Sequence, residues 1–422
     1  MAVSFPGSDM HFLRFMGQNS RWLLGGFLLT FCSAFGQTFF ISLSAGDLRA
    51  EFDLSHGQFG NLYMIATLGS ALTLPWLGRI VDQMGASRVA LIVMPALALA
   101  CIAMAFASHI IVLVLAIYML RLFGQGMMTQ NALTATGRWF AANRGRAVSV
   151  VTLGHNASEA LLPVVFVLLL AAFGWRDIWL MSAAFLMIFA LPVIYALLAK
   201  ERQPKSNEQQ ADDTKVRDWT RGEVLKDHLF WIMLAGILAP PTIGTVMLFH
   251  QVYLVELRGW PLEVFVASFS VMAICTIVFA LISGWLIDRF SAVRMLPAFL
   301  VPLAISCFVL ANVSAVWAPF AFMSIMGISY GFSSTLFGAL WPEIYGTKHL
   351  GAIRAIVVSA MVFATAAGPG ATGTLIDLGV SYPAQIGAMG IYCLFVCLVM
   401  IWVTRQLRLR LHTDLALRAA SG

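Results

Sequence analysis

Charge is scarce in this sequence. Only 11% of its residues are Asp, Glu, Lys or Arg, against about 25% in a soluble domain. The chain is 60% hydrophobic with a mean hydropathy of +0.85, which excludes an ordinary water-soluble globule. Histidine–cysteine clusters are missing. The six cysteines, Cys32, Cys101, Cys275, Cys307, Cys393 and Cys397, all fall inside apolar runs. Cys393 and Cys397 share a helical face, but no histidine lies nearby to complete a metal site, so they read as packing thiols. No metal and no cofactor is expected. Long polar loops with paired catalytic residues are also lacking, which argues against a membrane enzyme. A formal net charge of +6 could suggest nucleic acid. The basic residues sit instead in loops between apolar spans, where membrane topology needs them. The first 21 residues are polar and mixed, so no cleavable signal peptide is expected.

What the sequence has is long apolar runs. A span needs about 20 apolar residues, and twelve runs qualify: Trp22–Ser44, Gln58–Leu77, Val89–Ala107, Ile110–Thr136, Val148–Phe173, Ile178–Leu198, Phe230–Leu254, Val264–Ser283, Met295–Val313, Trp317–Trp341, Ala355–Leu378 and Ala384–Val403. Most connections are short. Ala199–Asp227 is the exception, rich in Lys, Glu, Gln and Asp, and reads as a solvated linker between six-span halves, 1–198 and 228–422. Arg and Lys concentrate in the loops on the side of the N-terminus. The opposite loops hold only Arg49, Arg176 and Arg258. This asymmetry predicts both termini in the cytoplasm and, with short outer loops, a bacterial inner membrane.

One short stretch occurs twice. Gly78 to Arg88 carries Asp82 four residues after Gly78 and Arg88 six residues after Asp82. Gly284 to Arg294 repeats the spacing with Asp288, and the two aspartates lie close to half the 422-residue chain apart. The pattern Gly78-x-x-x-Asp82-x-x-Gly85-x-x-Arg88 resembles the signature of the major facilitator superfamily. Ala86 stands where that family has a basic residue, and Ser291 replaces the second glycine in the second copy. The resemblance implies an all-α membrane protein with twelve transmembrane helices in two pseudo-symmetric six-helix bundles. It also implies that Asp82 and Asp288, with Arg144 and Arg146, hold the cytoplasmic side closed. Gly78, Gly85, Arg88, Gly284 and Arg294 complete that expected gating set.

The stretch Arg138-Trp139-Phe140, then Asn143-Arg144-Gly145-Arg146-Ala147, then Gly154, together with Glu51-Phe52 and Ser55, is similar to the monocarboxylate and oxalate/formate porters within the family. Those porters often carry a cation in the eighth span, and Val264–Ser283 has no charge.

A charge inside a membrane costs at least about 2.5–3.5 kcal/mol and needs a partner or a wet cavity. Arg121 is the one basic residue within a span. It lies about 11 residues into the fourth span, roughly 16 Å deep at 1.5 Å per residue. Glu159 reaches a similar depth in the fifth span, and His155 lies one turn from it on the same face. Arg121 is therefore a candidate for an anionic substrate, and Glu159, His155 and His250 are candidates for a proton. A structural Arg121–Glu159 ion pair is the plainer alternative. Gln37, Gln125, Asn131, Tyr330 and Ser333 fall at depths that could line a central cavity, or could bond neighbouring helices. His250 follows Pro240-Pro241, which suggest a kink, and an interfacial solvated histidine is its plainer reading. Gly368-Pro369-Gly370 with Gly373 suggests bending and close packing in the eleventh span.

The sequence thus predicts a secondary transporter working by alternating access. Its expected partners are a small organic anion of monocarboxylate type, a proton and membrane lipids, with no nucleic acid and a monomer as the functional unit. The alternative is an exporter of an amphipathic drug or metabolite.

Overall fold

A computed structural model describes residues 8–140, 144–200, 202, 217–346 and 349–421. The side chains of residues 8–14, 79, 82, 144–146, 288, 350–352, 355 and 411–421 lie outside that description. Among the described residues every regular element is a helix. This is what a bilayer demands of a chain that does not close a barrel, because each backbone N–H and C=O must be satisfied within its own segment.

The first span is broken. Helix α1 (Ser8–Cys32) passes through a 3-10 turn, Ser33–Gly36, before the short α2 (Thr38–Ile41) and α3 (Ala45–Phe52). The two limbs are bent by 44°. The second span, Gln58–Leu77, lies within α4 (His56–Leu77), which is followed by the short α5 (Arg79–Gln83) and then α6 (Ala86–Ala105). Helix α7 (Ile110–Met119) widens into a π-helical segment, Leu120–Met128, and continues as α8 (Thr129–Trp139). Helix α9 (Arg144–Leu170) is continuous, whereas α10 (Trp175–Ala184) reaches α11 (Leu191–Leu198) through a second π segment.

The second half begins at α12 (Arg221–Lys226), which Thr220 and Glu223 close with a reciprocal capping box. Asp227 caps α13 (His228–Ile237) through the amide of Leu229. It also accepts from Arg410 at 2.6 and 3.0 Å and from the Tyr345 hydroxyl at 2.9 Å. Burial opposes its charge, but these donors outweigh burial and hold the carboxyl below its ordinary range. Pro240 and Pro241 stand in the first turn of α14 (Ala239–Phe249), where a missing N–H breaks no helical bond. Then come α15 (Gln251–Arg258), α16 (Leu262–Phe290), α17 (Ala292–Met295), α18 (Val301–Asn312), α19 (Ala318–Tyr345), α20 (Leu350–Asp377) and α21 (Tyr382–Ser421).

Nine of the described helical stretches are long and apolar enough to cross a membrane, and the broken first span makes ten. The other two expected spans are α4 and α18. Gln58, Asn61, Thr67, Ser70 and Thr73 lower the apolar character of α4, and a turn over residues 296–300 shortens the helical part of the ninth span.

Packing divides the chain into two compact units, Met1–Ile41 with Gly69–Leu162 and Leu169–Gln210, and Ser42–Leu68 with Pro163–Leu168 and Ala211–Gly422. Without a hydrophobic drive between helices in lipid, close backbone approach at small residues carries each unit. In the first, a Cβ on Gly154 would meet the Phe27 carbonyl, and the Thr30 hydroxyl reaches the Val151 carbonyl at 2.6 Å. In the second, Gly327 and Gly331, four residues apart, set α19 against the backbone of α16 at Met272 and Thr276. Arg176 donates to the carbonyls of Ala105 and Ala107 at the end of α6. Arg258 donates to Leu310 and Ala311 near the end of α18. Each places a cation at the negative end of a helix.

Ser291 takes φ 82° and ψ 150° between α16 and α17, a region that only glycine occupies without strain. The sequence resemblance expected glycine here. Replacing Ser291 by Gly is expected to stabilise the detergent-solubilised protein by about 1 kcal/mol, read as a higher midpoint of thermal unfolding. A lowered midpoint would contradict the strain.

Candidate functional site

The site in the first unit starts from the break in the first span. Gln37 has φ −87° and ψ 152°, so the helix cannot continue through it. A break inside a membrane releases backbone carbonyls that need donors. Arg121 supplies one: its Nη1 donates to the Gly36 carbonyl and to the Thr38 hydroxyl, each at 3.3 Å. The arginine is 3% exposed and stands at the start of the π segment. Such wide turns are frequent at functional positions.

Two glycines make this meeting possible. A Cβ on Gly36 would run into the Leu120 carbonyl and the Cα of Gly124, and a Cβ on Gly124 would meet the backbone of Gly36. Gln125 follows Gly124, and half-buried Gln37 follows Gly36. On α9, the ring of His155 meets Phe39 edge-on at 6.2 Å. Glu159, 8% exposed, lies one turn further along α9. Residues 36–39 thus gather Gln37, Arg121, Gln125 and His155, with Glu159 a turn away. Thr38 and Phe39 belong to the same place, but a threonine and a phenylalanine in an apolar run carry no signal of it.

The other candidates lie elsewhere. Asn131 is fully buried, and its Nδ2 donates to the Ala86 carbonyl at 3.1 Å, at the first residue of α6. The structure therefore places Asn131 beside the repeated Gly–Asp–Gly–Arg stretch, away from the residue 36–39 cluster. In the second unit, the Tyr330 hydroxyl fills the space above Gly244 of α14, and buried Ser333 lies one turn along α19. His250, 3% exposed, sits between α14 and α15 with Nε2 3.3 Å from the Pro369 carbonyl. It is a buried histidine, which corrects the solvated interfacial reading.

Of the gating set, Gly78 immediately precedes α5 at a point where a Cβ would strike Gln130, and Gly85 precedes α6 in extended conformation. Arg88 and Arg294 are exposed, and Gly284 lies inside α16. The side chains of Asp82, Asp288, Arg144 and Arg146 are outside the described residues. Glu343 is a residue the sequence did not single out. Its Oε2 accepts from the Ala292 amide at 2.8 Å, at the start of α17 in the second copy of the repeat.

A family model of the Major Facilitator Superfamily matches residues 26–280 and 265–417. The chain belongs to that superfamily and is a multi-pass membrane protein. It is 30% identical over 152 residues to Monocarboxylate transporter 11 of Homo sapiens, an alignment covering 34% of this chain and 31% of that one. It is 24% identical over 202 residues to "Probable sulfoacetate transporter SauU" of Cupriavidus necator, covering 48% and 46%. The chain therefore spans about a third and about half of the length of these two relatives. With the MFS-type transporter YhjX of Escherichia coli, identity is 22% over 340 residues, covering 79% and 83%. Among solved structures, a bacterial homologue of the lysosomal transporter Spinster superposes with a TM-score of 0.65 at 17% identity, covering 95% of each chain. The nucleoside transporter NupG gives 0.68 at 12%, covering 92% and 99%.

The Gly36–Gly124 contact generates a direct check. Gly124→Val should force the two backbones apart and destabilise the protein by about 1–3 kcal/mol, whereas Gly126→Ala should be milder because only the flexible Leu74 side chain closely faces it. Equal thermal midpoints for Gly124→Val and the parent protein would remove the contact from the site.

Proposed function

We propose that this transporter moves a small organic anion of monocarboxylate type together with a proton, by alternating access. The observation that carries the reading is the buried guanidinium of Arg121 at the broken first span. A planar fork of N–H donors suits a carboxylate better than a point charge does. The carbonyl of Gly36 and the hydroxyl of Thr38, two of its partners, are neutral and exchangeable for an anion. Two relatives are themselves named for small organic anions, a monocarboxylate and sulfoacetate. In this reading Gln37 and Gln125 orient the substrate.

Glu159 carries the proton and His155, one turn away, relays it. An anion that draws Arg121 onto itself favours neutral Glu159. Reciprocity then makes proton and anion each tighten the other's binding. The halves 1–198 and 228–422 move about the linker 199–227, and the repeated aspartates close the cytoplasmic side. The scarcity of Arg and Lys in the opposite loops supports cytoplasmic termini in an inner membrane. Arg176 and Arg258, two of the exceptions there, are held on helix ends.

Purified protein in liposomes with an imposed pH gradient tests the reading. Arg121→Gln is expected to weaken a short-chain carboxylate roughly tenfold to a hundredfold, with Arg121→Lys recovering part. Glu159→Gln should lose gradient-driven accumulation and keep exchange. Unchanged affinity in Arg121→Gln would return Arg121 to a structural role, and intact accumulation in Glu159→Gln would move the coupling site.

A further inference from the structure

A second cluster of ionisable groups lies in the other unit, at the end where α3 meets α4. Asp377, the last residue of α20, accepts from the Ser55 hydroxyl at 2.6 Å and from the Gly57 amide at 2.8 Å. It therefore caps the N-terminus of α4, a helix more than three hundred residues earlier in the chain. Behind this cap α4 and α20 touch backbone to backbone. A Cβ on Gly60 would strike the Pro369 carbonyl and Gly370, and one on Gly373 would strike the His56 carbonyl and Gly57. The Ser42 hydroxyl adds bonds to the Leu248 carbonyl and to Gln251. This end of the unit is shut.

His56 stands in the middle of the closure. Its Nε2 lies 3.0 Å from Nη1 of Arg49. Arginine has no lone pair to offer, so the imidazole must be the acceptor, and an accepting Nε2 is unprotonated. The His56 ring packs on Tyr253 with centroids 4.1 Å apart and on His250 at 6.2 Å. His250 in turn meets Tyr382 at 5.4 Å. Arg49, Asp377, His250 and Tyr253 are the charged and titratable groups around His56, and Tyr382 and Glu256 lie behind them. A proton on His56 would abolish the Arg49 bond and set two cations against each other.

We propose that His56 is a proton-binding site that governs this closure, with Arg49 as the group that makes closure and protonation mutually exclusive. His56 precedes the apolar part of the second span. Burial first, and Arg49 second, push its imidazole down to about 4, partly offset by Asp377. Once the cluster parts, the ring returns toward the ordinary value of about 6.5. Protonation favours the arrangement with the higher value, the open one. Closure is fully favoured above the ordinary histidine range and weakens as pH falls toward the depressed value. With the orientation proposed above, this end faces outside, and external acid opens it. The latch itself does not rest on the identity of the substrate or on the route through Glu159.

The test uses the full chain in detergent, with the six native cysteines replaced and spin labels on Ala50→Cys and Val380→Cys, both exposed. Pulsed dipolar distances report the separation whichever way the protein faces a membrane. Between about pH 7.5 and about pH 5, the ratio of long to short distances should rise about 30-fold. His56→Gln and His56→Asn should each remove that response, and His56→Lys should favour the long distance at both values. A distribution that does not change with pH in the parent protein, or one that changes equally in His56→Gln and His56→Asn, overturns the proposal.

Discussion

A backbone carbonyl released inside a membrane has to find a donor, and the Gly36 carbonyl finds Arg121. The arginine and the helix break each answer the other's cost. An isolated guanidinium at mid-bilayer is expensive, and so is a helix interrupted in hydrocarbon. Put together, the cation gains acceptors and the break gains a donor. The glycine pair at 36 and 124 lets the first and fourth spans come close enough for this. The π segment supplies the wide turn at which Arg121 stands. A discontinuous helix at a membrane site is also how transporters of this general kind expose backbone groups to cargo.

The same economy of small residues builds the second unit, with a different result. Glycines at 57, 60, 370 and 373 let the backbones of α4 and α20 touch at their crossing. The crossing therefore holds through van der Waals contact plus the few polar groups at its rim. Few polar bonds fasten it, so a single proton can tip it. A closure made of a large apolar interface would not respond to one titration. On this view the protein has two proton-sensitive places with separate tasks, a carboxyl beside the anion site and an imidazole at one end.

The helical membrane fold was largely legible in the sequence because bilayer thickness imposes one length scale on every span. The spans that escaped a simple hydropathy reading in the structure, α4 and α18, do so for visible reasons. Polar residues of α4 serve helix contacts, and a turn interrupts the ninth span. The buried charges Arg121 and Glu159 could be singled out because a membrane makes any charge conspicuous. Thr38, Phe39 and Glu343 could not, since their roles come from a helix break and from a contact across dozens of residues. For Asn131, depth along a helix does not say which face a side chain takes, so a cavity position and a bond to a neighbouring helix both stood open, and its amide donates to Ala86. His56 reads as a loop residue and Asp377 as the far end of the eleventh span, until α20 brings Asp377 to the start of α4.

The most direct measurement is uptake into proteoliposomes of a labelled short-chain monocarboxylate, beside a cationic amphiphile, with and without an inward-acid pH gradient. An anion site at Arg121 coupled to a proton predicts saturable uptake of the acid that accumulates only with the gradient, and no uptake of the cation. Transport of the cationic amphiphile with no binding of the acid would contradict it and place this chain among exporters of amphipathic compounds.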